Sequence, residues 1–261
     1  MTSSRLRAVA ALSVLVLVAG CGGKDDDGGS KADDRSSTAD ESPSASDDGD
    51  DGDDGDFATL SGNEIAETSK TAMQGLEQVT YSGQISTGDS SIELDIQASS
   101  AGDCTGTIGI GAGSAELLAK DGENWYRPDE TFWRDSAPDQ ADAIIAAIGD
   151  KWVVDTNDDF AQFCDLDAFL SSIFRDDTGT EAEYTVKGTS EIDGDEVVEV
   201  ERTTEDGPST GYVLVDGEHY LLKLERTDGD DTGAIEFSDF NEEFEVEAPA
   251  PEEIVDLDQL S

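Results

Sequence analysis

Few residues in this chain have the types and spacing to do chemistry. Its 261 residues hold 3 cysteines and 1 histidine, with 63 acidic residues against 15 basic ones. The first cysteine closes the run Val18-Ala19-Gly20-Cys21, after Arg5, Arg7 and an apolar stretch from Ala8 to Val18. That is the pattern of a bacterial lipobox, whose cysteine thiol receives a diacylglyceryl thioether before the chain is cut ahead of it. Cys21 is therefore the expected lipidation site, carrying palmitate-type acyl chains, and residues 1–20 the expected lipoprotein signal peptide. The apolar run is too short to span a bilayer, which takes roughly 20 apolar residues. The alternative is an uncleaved N-terminal anchor helix, but Lys24 ends the apolar run early.

Cys104 and Cys164 remain, and an even remainder in an exported protein suggests a disulfide. Two buried free thiols are the alternative. Neither lies in a C-x-x-C pair, so thiol redox chemistry and a zinc knuckle are poorly supported. Strict alternation would put His219 on one strand face with Leu221, Lys223 and Glu225, a polar face beside a turn, where a solvated imidazole is the expected role. No G-x-S-x-G elbow presents a serine, and no glycine-rich loop of phosphate-binding spacing occurs. Carboxylates are too numerous to single out a glycosidase pair. No enzyme, no cofactor and no metal site are expected; the Asp/Gly run from Asp47 to Asp56 fits no register of a calcium loop.

The net charge of −48 becomes more negative by two when Arg5 and Arg7 leave with the signal. Nucleic acid is excluded as a partner, because phosphate binding needs Lys and Arg to release counterions, and an anionic bilayer surface would repel the chain. The acidity reads as solubility in an extracytoplasmic or saline medium, with an acidic binding site as the alternative. Residues 21–57 are mostly Gly, Ser and Asp and read as a disordered acidic tether. About 35 such residues reach roughly 30–35 Å.

The elements that must position any site begin at Ser61-Gly62-Asn63-Glu64, a capping-box spacing ahead of a helix carrying Ile65, Ala72, Met73 and Leu76 to near Gln78. Six strands are predicted next: Tyr81 to Ser86, Ile92 to Ala98, Cys104 to Ile110, Ser114 to Lys120, Asn124 to Arg127 and Thr131 to Arg134. Pro138 opens a helix through Ile144 and Ile148 to Gly149, and Lys151 to Val154 is a short extended piece. Helical structure from Asp158 or Asp159 carries Phe160, Phe163, Cys164, Phe169 and Phe174. Five more strands follow: Ala182 to Ser190, Glu196 to Thr203, Thr210 to Val215, His219 to Thr227 and Ala234 to Asp239, with Asp-Gly turns between them. The tail reads as an extended closing segment plus a short surface helix. The fold class is thus α+β, one domain over residues 58–261: a large curved antiparallel sheet of about 11 strands, a half-barrel, with helices in its concave face.

This order resembles the actinobacterial lipoproteins of the LppX/LprG type, which share a half-barrel fold with the lipoprotein carrier LolA and the regulatory protein RseB. The resemblance is carried by Thr80-Tyr81-Ser82-Gly83, Ile92 to Ile96, Cys104-Thr105-Gly106-Thr107, Ala115-Glu116-Leu117-Leu118, Asn124-Trp125-Tyr126-Arg127-Pro128, Lys151-Trp152-Val153, Phe237-Ser238-Asp239-Phe240 and Ala248-Pro249. It implies a cavity that takes up a lipid or acylated glycolipid, in a monomer held on the outer face of the cell membrane by its N-terminal lipid. An envelope sensor or interaction module of the RseB kind, with an envelope protein as partner, is the second reading; a hydrolase is the third. The candidates for the cavity lining are Ile92, Leu94, Ile96, Ile108, Ile110 and Leu117 on strands, Trp125 within the aromatic cluster Trp125-Tyr126-Phe132-Trp133, and Ile144, Ile148, Phe163 and Phe169 on helices. Packing of a solid core is the other role open to each.

Overall fold

A computed structural model describes residues 54–88, 90–174, 182–204, 207–229 and 231–257. The expected lipidation site Cys21, the expected signal peptide and nearly all of the expected tether lie outside the described residues. Ahead of the first helix, Asp54–Thr59 forms a 3-10 turn that buries Phe57. Ser61 then caps α1 (Gly62–Gln74): its side chain accepts the Glu64 N–H while Glu64 Oε2 accepts the Ser61 N–H at 3.0 Å. Ile65, Ser69 and Met73 make its buried stripe. The helix stops at Gln74 rather than Gln78. Gly75 turns its N–H back to the carbonyls of Thr71 and Ala72 at 3.2 and 3.1 Å, and Val79 and Tyr81, both fully buried, already follow the two-residue period of a strand.

The strands before the middle helices are β1 (Gln78–Thr87), β2 (Ser90–Ser99), β3 (Cys104–Ile110), β4 (Gly113–Lys120) and β5 (Glu123–Pro128). Then come α2 (Glu130–Ser136), α3 (Ala141–Ile148), β6 (Trp152–Val154), α4 (Ala161–Cys164) and α5 (Leu166–Ile173). The second meander is β7 (Glu183–Ile192), β8 (Asp195–Thr204), β9 (Gly207–Leu214), β10 (Leu221–Arg226) and β11 (Asp231–Ser238), and β12 (Ile254–Val255) closes the chain. The twelve strands among the described residues join one open, curved sheet in the order β12-β6-β5-β4-β3-β2-β1-β11-β10-β9-β8-β7. Every pairing is antiparallel except β12 on β6. The architecture is the expected α+β half-barrel.

One seam holds the two meanders together. β1 pairs with β11 from Thr80↔Ser238 to Thr87↔Asp231, and along it the backbones approach too closely for a side chain at two positions. A Cβ on Gly83 (φ +154°) would sit 2.0 Å from the Ala234 carbonyl oxygen, and one on Gly233 (φ +148°) 2.0 Å from that of Gln84. Glycine inside a strand marks such tight approaches and bends.

Local chemistry overrode strand propensity at one point. Thr131–Arg134 is not a strand but the middle of α2, because Pro128 ends β5 and Asp129 caps a helix, accepting the Phe132 N–H at 2.7 Å. The helical stretch after Asp158 is two helices rather than one continuous run. Asp165 ends α4 and starts α5, its carboxylate accepting the Ala168 N–H at 2.9 Å. The tail forms a 3-10 turn, Pro251–Glu253, and then β12. His219 lies outside β10 with φ 57°, and a bulge between Leu221 and Lys223 breaks the expected alternation. Leu221 and Leu224 share the concave face, while Lys223 and Glu225 turn outward beside Tyr212.

The main core fills the concave face between sheet and helices, from Ile65 and Met73 through Tyr81, Ile96, Ile108 and Leu117 to Leu166, Leu170 and Val198. A smaller cluster of Trp133, Ala141, Ile148 and Val153 lies under α2 and α3. Cys104 and Cys164, 60 residues apart, form the expected disulfide.

Replacing both by serine should lower the unfolding free energy by about 4 kcal/mol, the loop-entropy value for a ring of this size, read from denaturant melts. Gly83→Ala should cost at least the roughly 1–3 kcal/mol of a strained backbone position; an unchanged melting midpoint would show that the seam relaxes.

Candidate functional site

Two groups of helices cover the concave face, and they are held differently. α4 lies over β2 and β4, bonded to β3 through Cys104–Cys164. Beside the disulfide, Tyr81 donates its hydroxyl to the Phe163 carbonyl and stacks its ring on Phe169 at 4.1 Å. Asp155, 7 % exposed, starts this segment by accepting the N–H groups of Asp159, Phe160 and Ala161 at 3.0, 2.8 and 3.2 Å. α1 covers the other half, packing on β7, β8 and β10 and touching α5. Its N-terminal turn is close enough to β7 that a Cβ on Gly62 would sit 2.6 Å from the Tyr184 carbonyl oxygen.

Between α1, the C-terminal turn of α5 and strands β1 and β7–β11 lies a cavity of about 440 Å³, within the roughly 300–1,000 Å³ of small-ligand sites. Its floor is apolar: Ile85, Val200, Val213, Leu221, Leu224 and Ile235. Two successive rungs of this floor carry glycine: Gly211 lies between Val200 and Leu224, and Gly233 between Arg226 and Ile85. Lys70, Arg202 and Arg226 line the same space with a single acid, Glu67. A second, shallower groove on the other side of α1 is lined by Glu67, Thr68, Thr71, Ala72, Gly217, Glu218 and His219. There the imidazole stacks on Phe57 with ring centres 3.6 Å apart and sets Nδ1 3.1 Å from the Leu214 carbonyl oxygen.

The residues expected to line a cavity lie elsewhere. Leu94, Ile96, Ile108 and Leu117 are buried in the main core, with Ile92, Phe163 and Phe169 packed against it. Ile148 and Ile144 belong to the cluster under α2 and α3. Ile110, at the end of β3, is 38 % exposed. Trp125 pairs with Leu118 and Val154 on the opposite face of the sheet from Leu117 and Tyr126. None of the eleven lines the 440 Å³ cavity. Sequence reasoning looked under the meander whose alternation is clearest, and clear alternation there marks solid packing. One sequence signal at the cavity lies in β8, where Val198, Val200 and Arg202 alternate so that an arginine falls on the core face.

Half-buried Tyr126 sits against Phe160 and Trp133. Burial, and then the carboxylates of Asp155 and Asp159, push its hydroxyl up to about 12, against an ordinary value near 10.

No family model matches the sequence, and no curated protein is significantly similar to it. Solved structures are. LprF from Mycobacterium bovis aligns at 14 % identity and TM-score 0.50, over 72 % of this chain and 97 % of LprF. The lipoprotein LppX of Mycobacterium tuberculosis aligns at 16 % identity and TM-score 0.43, over 70 % and 97 %. A LolA superfamily protein from Nitrosomonas europaea aligns at 12 % identity and TM-score 0.22, over 74 % and 96 %. The chain shares its half-barrel fold with LprF. At such identities the likeness is one of fold, and LprF carries it.

A raised folded-state pKa contributes stability that is intact below the unfolded value and lost as pH climbs through the folded one. Stability at Tyr126 should therefore hold to about pH 10 and fall toward pH 12. Phenolate absorbance and far-ultraviolet dichroism should change together there, and Tyr126→Phe should remove that phenolate step.

Proposed function

We propose that this protein is a lipid-anchored extracytoplasmic carrier that holds one lipid or other amphiphile in the cavity between α1, α5 and strands β1 and β7–β11, with no chemistry of its own. The observation that carries the reading is the cavity itself, a space of about 440 Å³ on a floor of aliphatic side chains. Binding would come from burial: each methylene taken out of water contributes about 0.8 kcal/mol. At the roughly 30 Å³ that a water-sized group occupies in a liquid, the space holds on the order of 15 non-hydrogen atoms, enough for one alkyl chain. Attachment to the outer face of the cell membrane rests on the lipobox and Cys21, and the acidic tether after it gives the domain its reach.

Ala66 lines the cavity from α1 and is half-buried. Ala66→Phe, which keeps the helix and fills the space, should abolish uptake of a fluorescent fatty acid by the full chain carrying Cys21→Ser, while its melting midpoint moves little. Uptake at the unsubstituted level would place lipid binding elsewhere. For the anchor, blocking lipoprotein signal peptidase in cells should leave a heavier precursor, and an unchanged mass would remove Cys21 from the account.

A further inference from the structure

The chain carries 15 basic residues against 63 acidic ones, yet three basic side chains and one acidic one line the main cavity. Most of the other described cations are neutralised locally. Lys120 pairs with Asp103, Arg127 with Glu116, Arg134 with Glu130 and Asp142, Lys187 with Glu201, and Lys223 with Glu225. Lys70 and Arg226 take part in no ion pair among the described residues. In a molecule this acidic an unpaired cation is conspicuous, and two of them share one apolar space.

Their placement follows from register. Arg202 pairs with Ser209, and Arg226 lies one residue beyond the Glu225↔Thr210 pair and opposite Gly233. Arg202, Ser209 and Arg226 therefore share one rung, with the two arginines on either side of β9 and their backbones roughly 10 Å apart at the usual strand spacing. This rung runs along the end of the sheet where β8 and β10 finish. The aliphatic rungs lie deeper: Val200, Gly211 and Leu224 next, then Val198, Val213 and Leu221. Apolar depth with a basic end is the pattern of a site for a chain with a charged head.

A second observation comes from α1. Ser69 lines the cavity and is 1 % exposed, and its hydroxyl makes no hydrogen bond among the described residues. Thr68 and Thr71 on the same helix show the ordinary alternative, each donating to the carbonyl four residues back at 2.8 Å. A buried hydroxyl left without a partner is costly, and this one is next to Lys70.

Resting on the carrier reading above, we propose that the ligand is a single-chain anionic amphiphile, its alkyl chain against Val200, Val213, Leu221 and Ile235 and its carboxylate or phosphate held by Lys70, Arg226 and the Ser69 hydroxyl. The sign of the pocket opposes the sign of the chain. An uncharged single-chain lipid fills the same floor without offering these donors an anionic partner.

The test uses the full chain carrying Cys21→Ser and displacement of an uncharged fluorescent naphthylamine dye by dodecanoate, dodecyl phosphate and dodecanol. Dodecanoate and dodecyl phosphate should each compete about tenfold better than dodecanol, as expected for a hydrogen bond to a charged group. Lys70→Gln and Arg226→Gln should each erase most of that preference and leave dodecanol unchanged. Ser69→Ala should weaken dodecanoate severalfold without lowering the melting midpoint, because it also removes an unsatisfied buried group; a purely structural serine would show the reverse. Equal binding of dodecanol and dodecanoate, or variants that weaken both alike, would overturn the headgroup assignment and leave the carrier reading standing. Failure of all three to displace the dye, or of the dye to bind, would overturn both.

Discussion

The attachment of α4 and α5 to the first meander decides what the rest of the molecule can be. A covalent bond from Cys104 to Cys164, the Tyr81 hydroxyl on the Phe163 carbonyl and the ring of Phe169 on Tyr81 bring one short segment down on β1 to β4. Under it, the regular alternation of Leu94, Ile96, Ile108 and Leu117 becomes a filled core. The same attachment stops α5 from spreading over β8 to β11. α1 must cover that half nearly alone, and a helix of 13 residues does not close a five-stranded surface. The cavity is what remains uncovered.

In the sheet, Gly83 on β1 and Gly233 on β11 let these two strands approach too closely for a side chain at either position. Hydrophobic burial favours closing a space like the cavity. Here the helices that could close it are fastened elsewhere, and the polar groups at its end, Lys70, Arg202 and Arg226, make its collapse costly.

Most of the fold was legible in the sequence. The capping box at Ser61, the Asp-Gly turns and the period-two runs gave element type and order because those signals are local and chemically specific. Thr131–Arg134 misled because its aromatic and β-branched residues favour strands, whereas a single Asp cap decided the outcome. The cavity was harder to read. Whether an inward-facing residue meets packing or space depends on which helix lies above it, and that is set by contacts across 60 to 80 residues of chain, such as Tyr81 with Phe163. The bulge at Leu221 moved Arg226 to the concave face, and no periodicity displays a bulge. Only Arg202, in step with Val198 and Val200, pointed to the right half of the sheet.

The disulfide has a further consequence for timing. Ser172, Ile173 and Phe174, which form one wall of the cavity, lie at the end of α5, which follows directly on Cys164 and the end of α4. While both thiols stay reduced, as they do in the cytosol, that wall has lost its covalent tie to β3. Fixing of this wall against the first meander therefore waits on oxidation of the two thiols.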